Sequence, residues 1–123
     1  MHVADTSFLI AMFDSSDARH SEARKDLDKA APVIIPTEIL VETLGVLKVK
    51  VSRRAAADAL EKLLRLPNVT WSECCDFQGS LAIYRSHPAL SFPDSVVVRE
   101  CIARGARLLS FDERQRDAVD KTQ

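Results

Sequence analysis

Hydrophobic residues alternate along the chain between short unbroken runs and longer stretches in which apolar positions recur every three or four residues. The runs are His2 to Ala4, "PVIIP" at 32–36, "NVTW" at 68–71 and "ARLLSF" at 106–111. Runs of this kind, bounded by prolines or turn residues, predict short strands, and the β-branched "PVIIP" suits a sheet buried on both faces. Thr6 and Ser7 open a short helix over Phe8 to Phe13, and polar residues 14–30 predict a surface helix with Ser16 or Asp17 as N-cap. Thr37 to about Lys50 carries Leu40, Leu44 and Leu47 at helical spacing. Ser52 can cap the next helix, whose stripe of Ala56, Ala57, Leu60, Leu63 and Leu64 stops before Pro67. Another helix follows Ser72 to about Ser86, and "HPALSFP" at 87–93 reads as loop. From Asp94 to Arg104, Val97, Val98, Cys101 and Ile102 share one helical face, and Gly105 stands where a C-terminal stop belongs. A short polar helix follows Asp112. Strands alternating with helices from end to end predict an α/β fold with a mostly parallel sheet.

Composition narrows this without redirecting it. The chain has 123 residues, 46% of them hydrophobic, enough for one domain with its own core. Seventeen basic side chains face eighteen acidic ones, for a net charge of −1, so no overall field recruits a polyanion or an acidic membrane. Cys74, Cys75 and Cys101 have neither C-x-x-C spacing nor histidine companions, which points to reduced thiols rather than zinc ligands or bridges. Asp5 breaks the first apolar run, and no segment approaches membrane-spanning length, so a cytoplasmic location with no membrane partner is expected.

The acids carry the chemistry. In open parallel sheets the ligand crevice lies beyond the carboxyl ends of the strands. Asp5 follows "HVA" and Asp112 follows "RLLSF"; Asp94 begins an apolar helix after Pro93, and Glu42 interrupts a hydrophobic helix four residues after Glu38. Each has a plainer explanation. Asp5, Asp94 and Asp112 are all respectable helix caps, Glu42 can point to solvent, and Glu38 answers a helix dipole. Gathered above one end of the sheet, the four would repel one another unless a cation met them, and Mg²⁺ or Mn²⁺ is the hard ion that suits carboxylate oxygens.

These segments resemble the PIN domain, and within it the VapC-type toxin ribonucleases. "VADTSFLIAMF" is similar to the family's opening strand, Asp, hydroxyl pair and helix. "DARHSEAR" is similar to its second-helix segment, and "VIIPTEILVETLGVL" to its strand, helix and internal Glu. "LSFPDSVVVRECIARGARLLSFDE" resembles its Asp-led helix, glycine stop, strand and Ser/Thr-x-Asp ending. The resemblance implies a three-layer PIN-like fold over residues 1–123, with a central sheet flanked by helices. It makes Asp5, Glu42, Asp94 and Asp112 the acidic quartet that holds Mg²⁺ or Mn²⁺ for RNA hydrolysis, supported by Thr6, Ser7 and Ser110. A small antitoxin and a second copy of the chain are the implied partners. Arg99 and Glu100 stand where the family commonly has small apolar residues.

Other residues read more plainly. His20 lacks a second ligand nearby and suits helix packing, and Trp71 suits the core. Lys48, Lys50, Arg53 and Arg54 form either a solvated helix end or a phosphate-binding flank. A haloacid-dehalogenase-type phosphatase needs a second acid where Ser7 stands, and a phospho-receiver needs paired acids and a late lysine that are missing here. The alternatives left are a PIN-like protein-binding module and a housekeeping RNA-processing nuclease that is not a toxin.

Overall fold

A computed structural model of the chain describes residues 1–30, 32–73 and 76–122; Cys74 and Cys75 lie outside them. The strands are β1 (His2–Ala4), β2 (Val33–Pro36), β3 (Val69–Ser72) and β4 (Arg107–Leu109). The helices are α1 (Thr6–Phe13), α2 (His20–Lys29), α3 (Thr37–Lys50), α4 (Arg53–Leu64), α5 (Phe77–Ser86), α6 (Phe92–Arg104) and α7 (Glu113–Thr122).

All pairings are parallel and the sheet order is β3-β2-β1-β4. The chain steps outward from β1 to β3 and then crosses back to the far side of β1. Right-handed crossovers therefore place α1 to α4 on one face and α5 and α6 on the other, which makes three layers. Every residue of β2 is buried, as a strand covered on both faces requires. The core joins Val3, Phe8, Leu9 and Ile35 to Val97, Val98 and Cys101 of α6 and to Val119 of α7. Cys101 is a free thiol there, and burial pushes its pKa up to about 12, so it is an inert filler.

Two helix ends follow their sequence signals closely. The Ser52 hydroxyl accepts from Ala55 N at 3.0 Å at the start of α4. Gly105 closes α6 in the left-handed conformation, φ 60°, while Ala106 N reaches Cys101 O at 2.9 Å. A Cβ at Gly105 would meet nothing within 4 Å, so a side chain there costs backbone strain alone. Gly105→Ala is expected to lower unfolding free energy by about 1–2 kcal/mol in urea titrations, without loss of secondary structure by circular dichroism.

Several expectations are corrected. α2 begins at His20 with Arg19 as an uncapped first position. Ser16 and Asp17 belong instead to the preceding turns, where Asp14 accepts from Ser16 N and Asp17 from Arg19 N. α3 turns Ile39, Thr43 and Leu47 inward, so Leu44 is 40% exposed, and Ala57 of α4 also faces solvent. α5 begins only at Phe77, and α6 begins at Phe92, inside the stretch expected to be loop. Trp71 lies on the edge strand β3 and is 54% exposed, not core. His20 packs as expected, its Nδ1 2.8 Å from the carbonyl of Ala11. No helix among the described residues is long and apolar enough to cross a membrane.

Candidate active site

The reversal of strand order falls between β1 and β4, so a crevice opens beyond their carboxyl ends. The register sets Ala4 beside Leu109, and Asp5 N donates to Leu109 O at 3.1 Å. Asp5 and Ser110 thereby leave the sheet side by side.

No cation meets Asp5 among its described partners; hydroxyls and a backbone amide do. Oδ1 accepts from Ser7 Oγ at 2.8 Å and from Phe8 N at 3.0 Å, and Oδ2 accepts from Ser110 Oγ at 2.6 Å. The Phe8 contact makes Asp5 the N-cap of α1, so the plainer reading and the functional one describe the same rotamer. Asp5 is 2% exposed, and burial raises its pKa to about 6 against the pull of these donors, with Asp94 adding repulsion.

The hydroxyls join further groups to this seat. Ser7 Oγ accepts from Phe111 N at 3.0 Å and Ser110 Oγ from Asp112 N at 2.9 Å. Arg116 also donates to the carbonyl of Ser110, through Nε at 2.8 Å and through Nη2. Gln115 is fully buried, with Oε1 3.2 Å from Ser110 Oγ and Nε2 donating to Asp94 O at 3.2 Å. Gln115 thus ties the end of β4 to the first turn of α6. While Asp5 is ionised, the single Ser110 proton serves Oδ2 and leaves Gln115 Oε1 without it. Protonated Asp5 can donate to Ser110, which then donates to Gln115, so the buried amide favours the acid form. Sequence reasoning missed Gln115, although its spacing with Ala118 and Val119 puts it on the buried stripe of α7.

The other acids are placed as follows. Asp94 forms a capping box with Ser91: Asp94 N donates to Ser91 Oγ and Ser91 N to Asp94 Oδ2, both at 3.2 Å. Asp112 receives Arg114 in a two-pronged contact, which holds its carboxyl below the usual range. Glu42 and Glu38 line a cleft of about 380 Å³ with Thr37, Val41 and Pro93, the residue before Asp94. Thr6 Oγ1 is buried without a hydrogen-bond partner. Lys48 and Lys50 lie at the far end of α3, roughly 20 Å along its axis from Thr37, and Arg53 and Arg54 follow at the start of α4, which disfavours the group as a flank of this crevice.

Among the described residues no three acids, histidines or cysteines form a group that could hold an ion as they stand. The donor set nevertheless suits a hard divalent cation. It offers oxygen ligands only, a buried Asp5 repelled by Asp94, and an orphaned hydroxyl on Thr6, the residue after Asp5 in the chain. Mg²⁺ commonly takes one or two carboxylates and keeps its remaining waters.

Among the solved structures that share the fold, three illustrate the likeness. A sarcin–ricin loop cleaving toxin of Mycobacterium tuberculosis, VapC20, superposes with a TM-score of 0.81 at 23% identity, covering 96% of this chain and 95% of that one. A toxin–antitoxin complex from Klebsiella pneumoniae gives 0.69 at 17% identity, covering 94% and 89%. VapBC2 of Rickettsia felis, bound to a DNA fragment from its promoter, gives 0.68 at 11% identity, covering 95% and 92%. No curated protein matches the sequence. With the parallel sheet, the strand-end acids and these neighbours in agreement, the match of the PIN domain model to residues 3–121 places the chain in the PIN domain family.

Proposed function

We propose that the protein is an Mg²⁺- or Mn²⁺-dependent endoribonuclease and the toxin of a type II toxin–antitoxin pair. The observation that carries the reading is Asp5: a buried carboxylate fixed by Ser7, Phe8 N and Ser110 at the switch point, with the charge of Asp94 acting on it. Asp5 and Asp94 would hold the ion, and Glu42 and Asp112 would complete the acidic wall. When bound, a divalent ion lowers the pKa of water and offsets charge developing on a phosphodiester. The chain's own part is orientation. Ser7 and Ser110 hold both oxygens of Asp5, and Gln115 keeps the first turn of α6, and so Asp94, against the end of β4.

The likeness to toxins and toxin–antitoxin complexes supports an antitoxin partner. Phe77, Leu81 and Tyr84 of α5 are exposed, with Phe92 packed on the Phe77 ring at 4.8 Å; such a patch suits the protein contacts that an antitoxin and a homodimer require.

The test is cleavage of a mixed RNA pool. Wild type is expected to cut with Mg²⁺ or Mn²⁺ and not with EDTA. Asp94→Asn should lose at least the ~100-fold that removal of an outer partner of a metal ligand can cost, with unchanged circular dichroism. Cutting that ignores both the metal and the substitution would refute the assignment. Strong induction of soluble protein should arrest growth, and a co-expressed antitoxin should relieve it; harmless induction favours housekeeping RNA processing or a binding module.

A further inference from the structure

Arg114 sits in the first turn of α7, where the helix dipole disfavours a cation. A residue that breaks a local rule at a site needs a compensating partner. Its partner is Asp112: Nε donates to Oδ1 at 3.1 Å and Nη2 to Oδ2 at 3.0 Å, while Arg114 N adds a bond to Oδ1 at 3.0 Å. The two side chains differ in exposure. The Asp112 side chain is 19% exposed and that of Arg114 65%. The charge of Asp94 also acts on the guanidinium. The chain has therefore put a positive group of its own at the edge of the proposed cation site, on one of the acids.

We propose that Arg114 exchanges partners within this site: it neutralises Asp112 while the cation is absent, and when the cation claims Asp112 it binds a phosphate of the RNA. A guanidinium has five N–H donors in a plane, and phosphate accepts the same fork that carboxylate does. Nε and Nη2 donate to Asp112, which leaves Nη1 as a further donor of the same guanidinium. The exchange requires the pair to be weak enough to break, and a pair this exposed is worth little in water. The inference rests on the nuclease reading above and deepens it by assigning a substrate contact.

Mn²⁺ binding by electron paramagnetic resonance, without RNA, separates this role from a structural one. Arg114→Gln removes the competitor, so Mn²⁺ should bind roughly 2- to 5-fold tighter, the equivalent of one exposed ion pair. In cleavage assays the same variant should raise KM roughly tenfold with a smaller change in kcat, the loss of one charge-assisted hydrogen bond. Arg114→Lys keeps the charge but not the fork, and should hold Mn²⁺ affinity near wild type with an intermediate KM. Unchanged or weaker Mn²⁺ binding by Arg114→Gln, with wild type binding and cutting normally, overturns the exchange and leaves the nuclease reading intact. Failure of wild type to bind Mn²⁺ overturns both.

Discussion

Asp5→Asn is expected to melt at a higher temperature than wild type in EDTA at neutral pH while losing at least ~100-fold in RNA cleavage. The stability gain follows from burial. The carboxyl of Asp5 titrates near 6 in the folded chain against an ordinary 3.8, because burial penalises its charge more than the three donors reward it. Between those pH values the folded state holds more protons than the unfolded one, so stability falls as pH rises through the window. Below the lower value the penalty is absent, and above the upper one it is complete. At 1.36 kcal/mol per unit, a shift of about two units corresponds to about 3 kcal/mol. Asparagine carries no charge, and Ser7 and Ser110 can turn to suit its amide. Urea titrations should therefore show the two proteins converging as pH falls toward 4, and a neutral-pH variant less stable than wild type would contradict the account. Mg²⁺ at a hundred times its Kd should stabilise wild type by about 2.7 kcal/mol and leave the variant unmoved.

Phe8→Ala is expected to cost about 3–5 kcal/mol, the largest stability loss of the substitutions considered, and to reduce cleavage beyond the unfolded fraction. Phe8 is 1% exposed and its ring stacks on Phe111 at 5.9 Å and 27°. The Arg19 guanidinium covers the Phe111 ring at 4.9 Å from its centroid, so α1 and the turn before α2 both meet on that ring. Phe111 lies between Ser110 and Asp112, and its backbone N–H rests on Ser7. Removing the Phe8 ring leaves a void under that segment and loosens the hydroxyl that holds Asp5 Oδ2. Phe8→Leu, which refills most of the volume, should recover the larger part of both losses. Equal cleavage per folded molecule by the alanine variant would separate packing from the site.

The features legible in the sequence are those with short-range causes. "PVIIP" announces a buried strand by composition, Ser52 and Gly105 announce helix ends by backbone chemistry, and Asp5 announces a strand end by interrupting an apolar run. Features set by which neighbours arrive were harder to see. Leu44 has the same local spacing as Leu47, but α3 turns Ile39 and Thr43 inward, so Leu44 stays at the surface. Trp71 reads as core because aromatic residues are usually covered, yet it ends up on an edge strand with an exposed side. Gln115 and Arg114 look like ordinary members of a polar helix. Only the placement of α7 against Ser110 and Asp94 gives Gln115 its partners, and only the pairing with Asp112 gives Arg114 its place. For the acids, their order was visible along the chain, while the groups that restrain Asp5, Asp94 and Asp112 were not.

The hydrogen bond from Ser110 to Asp5 joins residues 105 positions apart. A growing polypeptide therefore emerges from its ribosome with Asp5 early and its companion late, and the seat for the charged oxygens does not exist until β4 has threaded in beside β1. Synthesis itself therefore delays the site: a half-made copy carries Asp5 without the serine that seats its second oxygen.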